Sequence, residues 1–147
     1  MKFLYIFFLM AFLSCDSQSK NSLRTPVEFE TVNHYPYNLT PEKFLVIDTQ
    51  AKMDAVYSVI HRNTVGNRLA PIPSVNDGEL YVVFKPTLKD TNDVEITGIT
   101  TANDTLYVGL KESDNPQIKK ASRMQPNILV KLQTKIPLKN IVTTYSN

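Results

Sequence analysis

The chain has 147 residues, with 16 basic against 14 acidic side chains, a net charge of +2 and a single cysteine. That length is one domain's worth. The near-balance of charge excludes a nucleic-acid surface, which needs a clustered basic field, and one cysteine excludes an internal disulfide.

Lys2 supplies a positive start, and Phe3 to Leu13 is an unbroken apolar run that ends in Ser14 and Cys15. An apolar run this short, closed by a small residue, reads as a secretory signal rather than a membrane span. The Phe12-Leu13-Ser14-Cys15 ending resembles a bacterial lipobox. The resemblance implies that residues 1–14 are a lipoprotein signal peptide and that Cys15 becomes a lipidated N-terminus. Two or more acyl chains hold a protein firmly to a bilayer where one does not. The expected location is therefore the bacterial cell envelope, lipid-anchored on a periplasmic or cell-surface face. Residues 15–25 are rich in Ser, Asn, Gln and Lys and read as a flexible tether. Residues 26–147 form the single folded domain.

Val27, Phe29 and Thr31 alternate with Glu28 and Glu30, the period of a half-buried strand. Asn33 to Pro41 holds two prolines with His34, Tyr35 and Tyr37 and reads as a loop, because proline cannot donate to a ladder. Phe44 to Ile47 is a second strand. Asp48 or Thr49 then caps a helix over about residues 49–62, whose Met53, Val56, Tyr57 and Ile60 form one apolar stripe. His61 and Arg62 fall in its last turn, where cations suit the helix dipole.

Asn63 to Gly78 is a long loop without period, broken by Pro71 and Pro73. Leu80 to Phe84 is apolar throughout and reads as a central strand. Val94 to Thr101 and Leu106 to Leu110 make a hairpin about Ala102-Asn103-Asp104, with Gly98 marking a bulge or a close approach. Glu112 to Pro126 is a second breaker-rich loop carrying Lys119, Lys120 and Arg123. Ile128 to Leu132 and Leu138 to Thr144 are the last strands. The fold class is α+β: a mostly antiparallel sheet or sandwich with one amphipathic helix.

The layout resembles the C-terminal domain of the protease complex subunit PrcB family. The residues that carry the likeness are Phe29 to Val32, the strand and helix entry from Phe44 to Ile60, and Pro73 to Asp77 before the Leu80 to Phe84 strand. The hairpin from Val94 to Val108 and the run Pro126 to Val130 complete it. The resemblance implies an accessory lipoprotein that binds a partner protein and supports a protease's stability or maturation.

Catalytic groups are scarce. No Gly-x-Ser-x-Gly elbow occurs, and only His34 and His61 could act as histidine bases. His34 reads as loop decoration and His61 as a helix-end cation. No spacing suits a zinc or calcium site, and no cofactor is expected. Asn76 to Glu79 and Asp90 to Asp93 read as turns. Tyr35, Tyr37, Lys119, Lys120 and Arg123 are the candidate partner-binding residues, the three cations suiting an acidic partner or lipid headgroups. Asp104-Thr105-Leu106 resembles an O-glycosylation acceptor of secreted bacterial proteins. The expected role is non-catalytic protein binding. The alternatives are an enzyme acting on cell-envelope polymers through Asp77, Asp90 or Asp93, and a structural or adhesion module built on Tyr35 and Tyr37.

Overall fold

The computed structural model describes residues 23–117 and 126–147. Cys15, the lipobox and most of the tether lie outside the described residues, as do Lys119, Lys120 and Arg123. Among the described residues there are eight strands and one helix: β1 (Thr25–Pro26), β2 (Phe29–Tyr35), β3 (Phe44–Ile47), α1 (Gln50–Asn63), β4 (Leu80–Phe84), β5 (Asp93–Ala102), β6 (Thr105–Ser113), β7 (Asn127–Leu132) and β8 (Asn140–Ser146). They make two four-stranded sheets, ordered β1-β5-β6-β8 and β2-β7-β4-β3.

The sheets stack face to face. Leu80, Val82 and Phe84 of β4 and Ile128, Val130 and Leu132 of β7 meet Val94, Ile99, Leu106, Val108 and Leu110 of β5 and β6. The second sheet's other face, with Tyr81, Val83 and Leu129, is covered by Met53, Val56, Tyr57 and Ile60 of α1. This third layer explains the unbroken apolar run Leu80 to Phe84. Its alternate residues face two different cores, so all five are buried. The helix begins where the expected cap places it: Thr49 is extended, and its side chain accepts from Lys52 N.

Three boundaries in the first part of the chain differ from the sequence expectation. Pairing starts at Thr25, opposite Thr101, inside the segment read as tether, and the Arg24 guanidinium lies 3.8 Å over the Tyr107 ring. The period-two run about Val27 is not one strand. The chain leaves the first sheet after Pro26 and enters the second at Phe29. The presumed loop from Asn33 is strand as far as Tyr35, which pairs with Asn127, and it is Pro36 that ends the ladder.

The hairpin closes on Asn103 and Asp104, with Asn103 in the left-handed region at φ 54°. Thr97 is bulged out between Ile96 and Gly98, which lets Gly98 face Gly109 across the ladder. A side chain at Gly109 would place its Cβ 2.7 Å from Thr97 Oγ1. The Asp104 carbonyl accepts from Lys139 N at 2.8 Å and Asn140 N at 3.3 Å. That anchors the start of β8 beside the start of β6, so β8 runs parallel to it, the one parallel pairing described. The last strand begins at Asn140 rather than Leu138, and Leu138 packs against the inter-sheet core instead.

Candidate functional site

The end of β2 and the loop after α1 enclose a cleft of about 430 Å³, with His34, Pro36 and Tyr37 on one wall and Arg68, Leu69 and Ala70 on the other. Two stretches singled out in the sequence, the aromatic segment and the long loop, therefore come together. They do so because α1 must lay its apolar stripe on the second sheet, which returns the loop past the end of β2.

The loop lacks regular structure between Asn63 and Leu80, yet it is pinned at several points. His61 Nε2 bonds the Ala70 carbonyl at 2.8 Å, and its ring meets Tyr57 edge-on at 5.9 Å. Gln50 clamps the return arm with both ends of its amide: Nε2 donates to the Pro73 carbonyl at 3.2 Å and Oε1 accepts from Val75 N at 3.0 Å. Asn76 to Glu79 is a turn, as expected, with Gly78 at φ 81° and Glu79 N donating to the Asn76 carbonyl. Between these pins the loop turns its apolar side chains outward. Val65 is fully exposed, Leu69 is 55% exposed and Ile72 is 42% exposed.

The candidate tyrosines separate. Tyr35 is only 7% exposed and belongs to the helix-side core, so it offers a partner almost no surface. Its alternation along β2 turns it inward, and its hydroxyl hydrogen-bonds Asn33 and Tyr57. Burial raises the pKa of both phenols. That of Tyr57 is pushed up to about 12, with the adjacent Tyr35 opposing a second negative charge. Tyr37 is half-buried, its ring tilted 49° against that of Tyr35 at 5.7 Å, and it lines the cleft.

His34 corrects its reading as loop decoration. It sits on β2, and its Nδ1 donates to Asp93 Oδ1 at 2.6 Å. Asp93 is not a turn residue but the first residue of β5, with a side chain 5% exposed. Its carboxylate also accepts from Val94 N at 2.8 Å and from Asn115 Nδ2 at 2.9 Å. Asn92 and Asn115 bond reciprocally, each donating to the other, which fixes the exit of β6. A carboxylate only accepts, so the imidazole Nδ1 carries the proton toward Asp93 and Nε2 is turned from the pair. A second cavity of about 420 Å³ lies on this side, lined by Asn33, His34, Pro36, Asp93, Asn115 and Gln117. The pair links one sheet to the other. Nothing in the spacing of residues 34 and 93 announces it, because the contact exists only once β2 and β5 are stacked.

Among the described residues no three His, Cys, Asp or Glu side chains gather as a metal site, and no helix is long and apolar enough to cross a membrane. Asp77 pairs with Lys135 at 3.5 Å, and Asp90 lies exposed in the segment that Glu112 ties down. Glu112 accepts from Lys89 N, Asp90 N and Thr91 Oγ1. Burial opposes its charge, but those bonds prevail and hold it below the usual carboxylate range.

No family model matches the chain, and no curated protein or solved structure matches it.

Proposed function

We propose that this protein is a lipid-anchored accessory subunit of the bacterial cell envelope that binds a protein partner through the loop spanning residues 63–78 and the adjoining cleft. The observation that carries the reading is that Val65, Leu69 and Ile72 project into solvent from a loop held in place by Gln50 and His61. Exposed apolar side chains gathered on one loop mark an interaction surface. A pinned loop also loses less conformational entropy on binding than a free one. Tyr37 and Arg68 flank the same cleft, and both residue types are enriched at protein interfaces.

The anchor in this reading is Cys15, and the kind of role is the one implied by the likeness to the PrcB family, support of a partner protease.

The test is cross-linking in intact membranes with a photoreactive group at position 65, followed by the same experiment in the Leu69→Ser, Ile72→Ser variant. Both substituted side chains are exposed, so the fold should survive. The expected result is one discrete adduct that the variant loses. An unchanged adduct would refute the loop's role. Replacing Cys15 by Ser should release the protein from the membrane fraction, and retention there would refute the anchor.

A further inference from the structure

A sheet edge invites another strand unless something blocks it. Three of the four edges here are blocked. β1 has two residues, one of them Pro26. β2 carries Glu30 and is broken by a register shift between Thr31 and Asn33. β3 is four residues long and follows directly on Lys43. β8 has none of these devices. Its seven residues, Asn140 to Ser146, hold no charge and no proline, and its register with β6 runs unbroken from end to end. Val142 is 41% exposed and Tyr145 38% exposed on it.

Beside this edge, which no described strand pairs, the two sheets part. A slot of about 510 Å³ lies between β8 and the β3–β4 pair, with Phe44, Phe84 and Ile141 at its base. Lys43 and Lys85 line it, and among the described residues no acidic side chain does. Lys85 Nζ donates to the neutral Thr40 carbonyl at 2.5 Å, which leaves its charge uncompensated. Among the described residues neither lysine has a carboxylate at ion-pair distance. Tyr145 leans across one end, where its hydroxyl accepts from Thr87 N at 2.9 Å.

We infer that the edge of β8 receives an extended acidic–apolar peptide of a partner protein, added as a fifth strand to the first sheet. Side chains alternate across a strand. Those of the incoming strand that share a face with Ile141 and Thr143 enter the slot and meet Lys43 and Lys85, so carboxylates fit there. Those on the other face lie beside Val142 and Thr144, where β-branched residues fit. Main-chain hydrogen bonds give such an added strand its affinity, and the slot gives it selectivity. This surface lies at the opposite edge of the second sheet from the cleft beside β2, and the inference is independent of that cleft.

The test uses the full chain with two synthetic heptapeptides, one alternating Glu and Val and the other Lys and Val, and follows amide hydrogen exchange. The Glu–Val peptide should slow exchange across residues 140–146, and the Lys–Val peptide should not. In the Lys43→Glu variant, whose altered side chain is exposed, the Glu–Val peptide should bind about fivefold more weakly. Equal protection by both peptides would overturn the charge argument, and protection only outside residues 140–146 would overturn the site. Protection that rises with protein concentration alone, together with a doubled sedimentation mass, would give the edge to a second copy. Protection by vesicles of anionic lipid, but not by the Glu–Val peptide, would give the slot to headgroups. Either of these last outcomes refutes the peptide.

Discussion

Replacing Asp93 by Ala should be among the most damaging single changes in this protein, although nothing in its sequence context sets it apart from Asp90. Its carboxylate receives three donors: His34 Nδ1, Val94 N and Asn115 Nδ2. His34 is 20% exposed and can recover a bond from water. The Val94 amide is buried and cannot, and Asn115 is half-buried. Leaving the buried Val94 donor without a partner costs about 2 kcal/mol, and the weaker replacements found by half-buried His34 and Asn115 add about 1 kcal/mol between them, for a loss of about 3 kcal/mol. With a urea slope of about 1.5 kcal/mol per molar, the unfolding midpoint should fall by about 2 M. Asp93→Asn keeps the shape and one accepting oxygen, and should cost about 1 kcal/mol. Asp90→Ala is the matched control and should shift the midpoint negligibly, because its side chain is exposed. A cycle with His34→Ala should return a coupling of about 1 kcal/mol or more, since the two groups touch. If Asp93→Ala unfolds where Asp90→Ala does, or if the coupling is zero, the pair does not hold the sheets together and the reasoning fails.

The Tyr57 phenol, with its pKa near 12, favours the folded state below the unfolded pKa near 10. Stability should fall as pH rises through the interval between those values, by about 3 kcal/mol at most, and Tyr57→Phe should flatten that slope in urea titrations at pH 9 to 12. Gly109→Ala drives a Cβ against Thr97 Oγ1, and should cost about 1 kcal/mol in thermal unfolding. The cost should largely vanish in a Thr97→Ala background; persistence there would point to strain in the β6 backbone instead. Gln50→Ala unpins the return arm of the loop. The Val75 amide should then exchange at least tenfold faster, with global stability changed by about 1 kcal/mol or less.

Much of the fold is carried by local pattern. The stripe of Met53, Val56, Tyr57 and Ile60 forces a helix with one buried face, and Thr49 fixes its start, because both effects act within a turn or two of chain. The apolar run Leu80 to Phe84 identifies a strand covered on both sides, and Gly98 beside alternating residues marks the bulge. The lipobox-like ending at Cys15 is likewise a matter of adjacent residues, and it underlies the proposed anchor.

Other features depend on which surfaces are stacked, and no window of sequence holds that information. The alternation from Val27 to Thr31 looks like one strand, but β1 has already ended at Pro26 and β2 starts only at Phe29, so the run spans the crossing from one sheet to the other, which a period of two does not reveal. β8 is apolar enough to be a strand, but its parallel direction follows from the Asp104 carbonyl holding Lys139 and Asn140. Tyr35 and Tyr37 look alike in the sequence, but Tyr35 is the last residue of β2 and is buried against α1, whereas Tyr37 lies past Pro36, beyond the ladder, and stays half-buried at the cleft. His34 and Asp93 become partners only when β2 and β5 meet. The sequence by itself determined the elements, because helix caps, apolar periods and turns are short-range. The tertiary structure decided which polar groups are buried together and which edge stays open, because those depend on sheet order, and sheet order is set by packing across the whole domain.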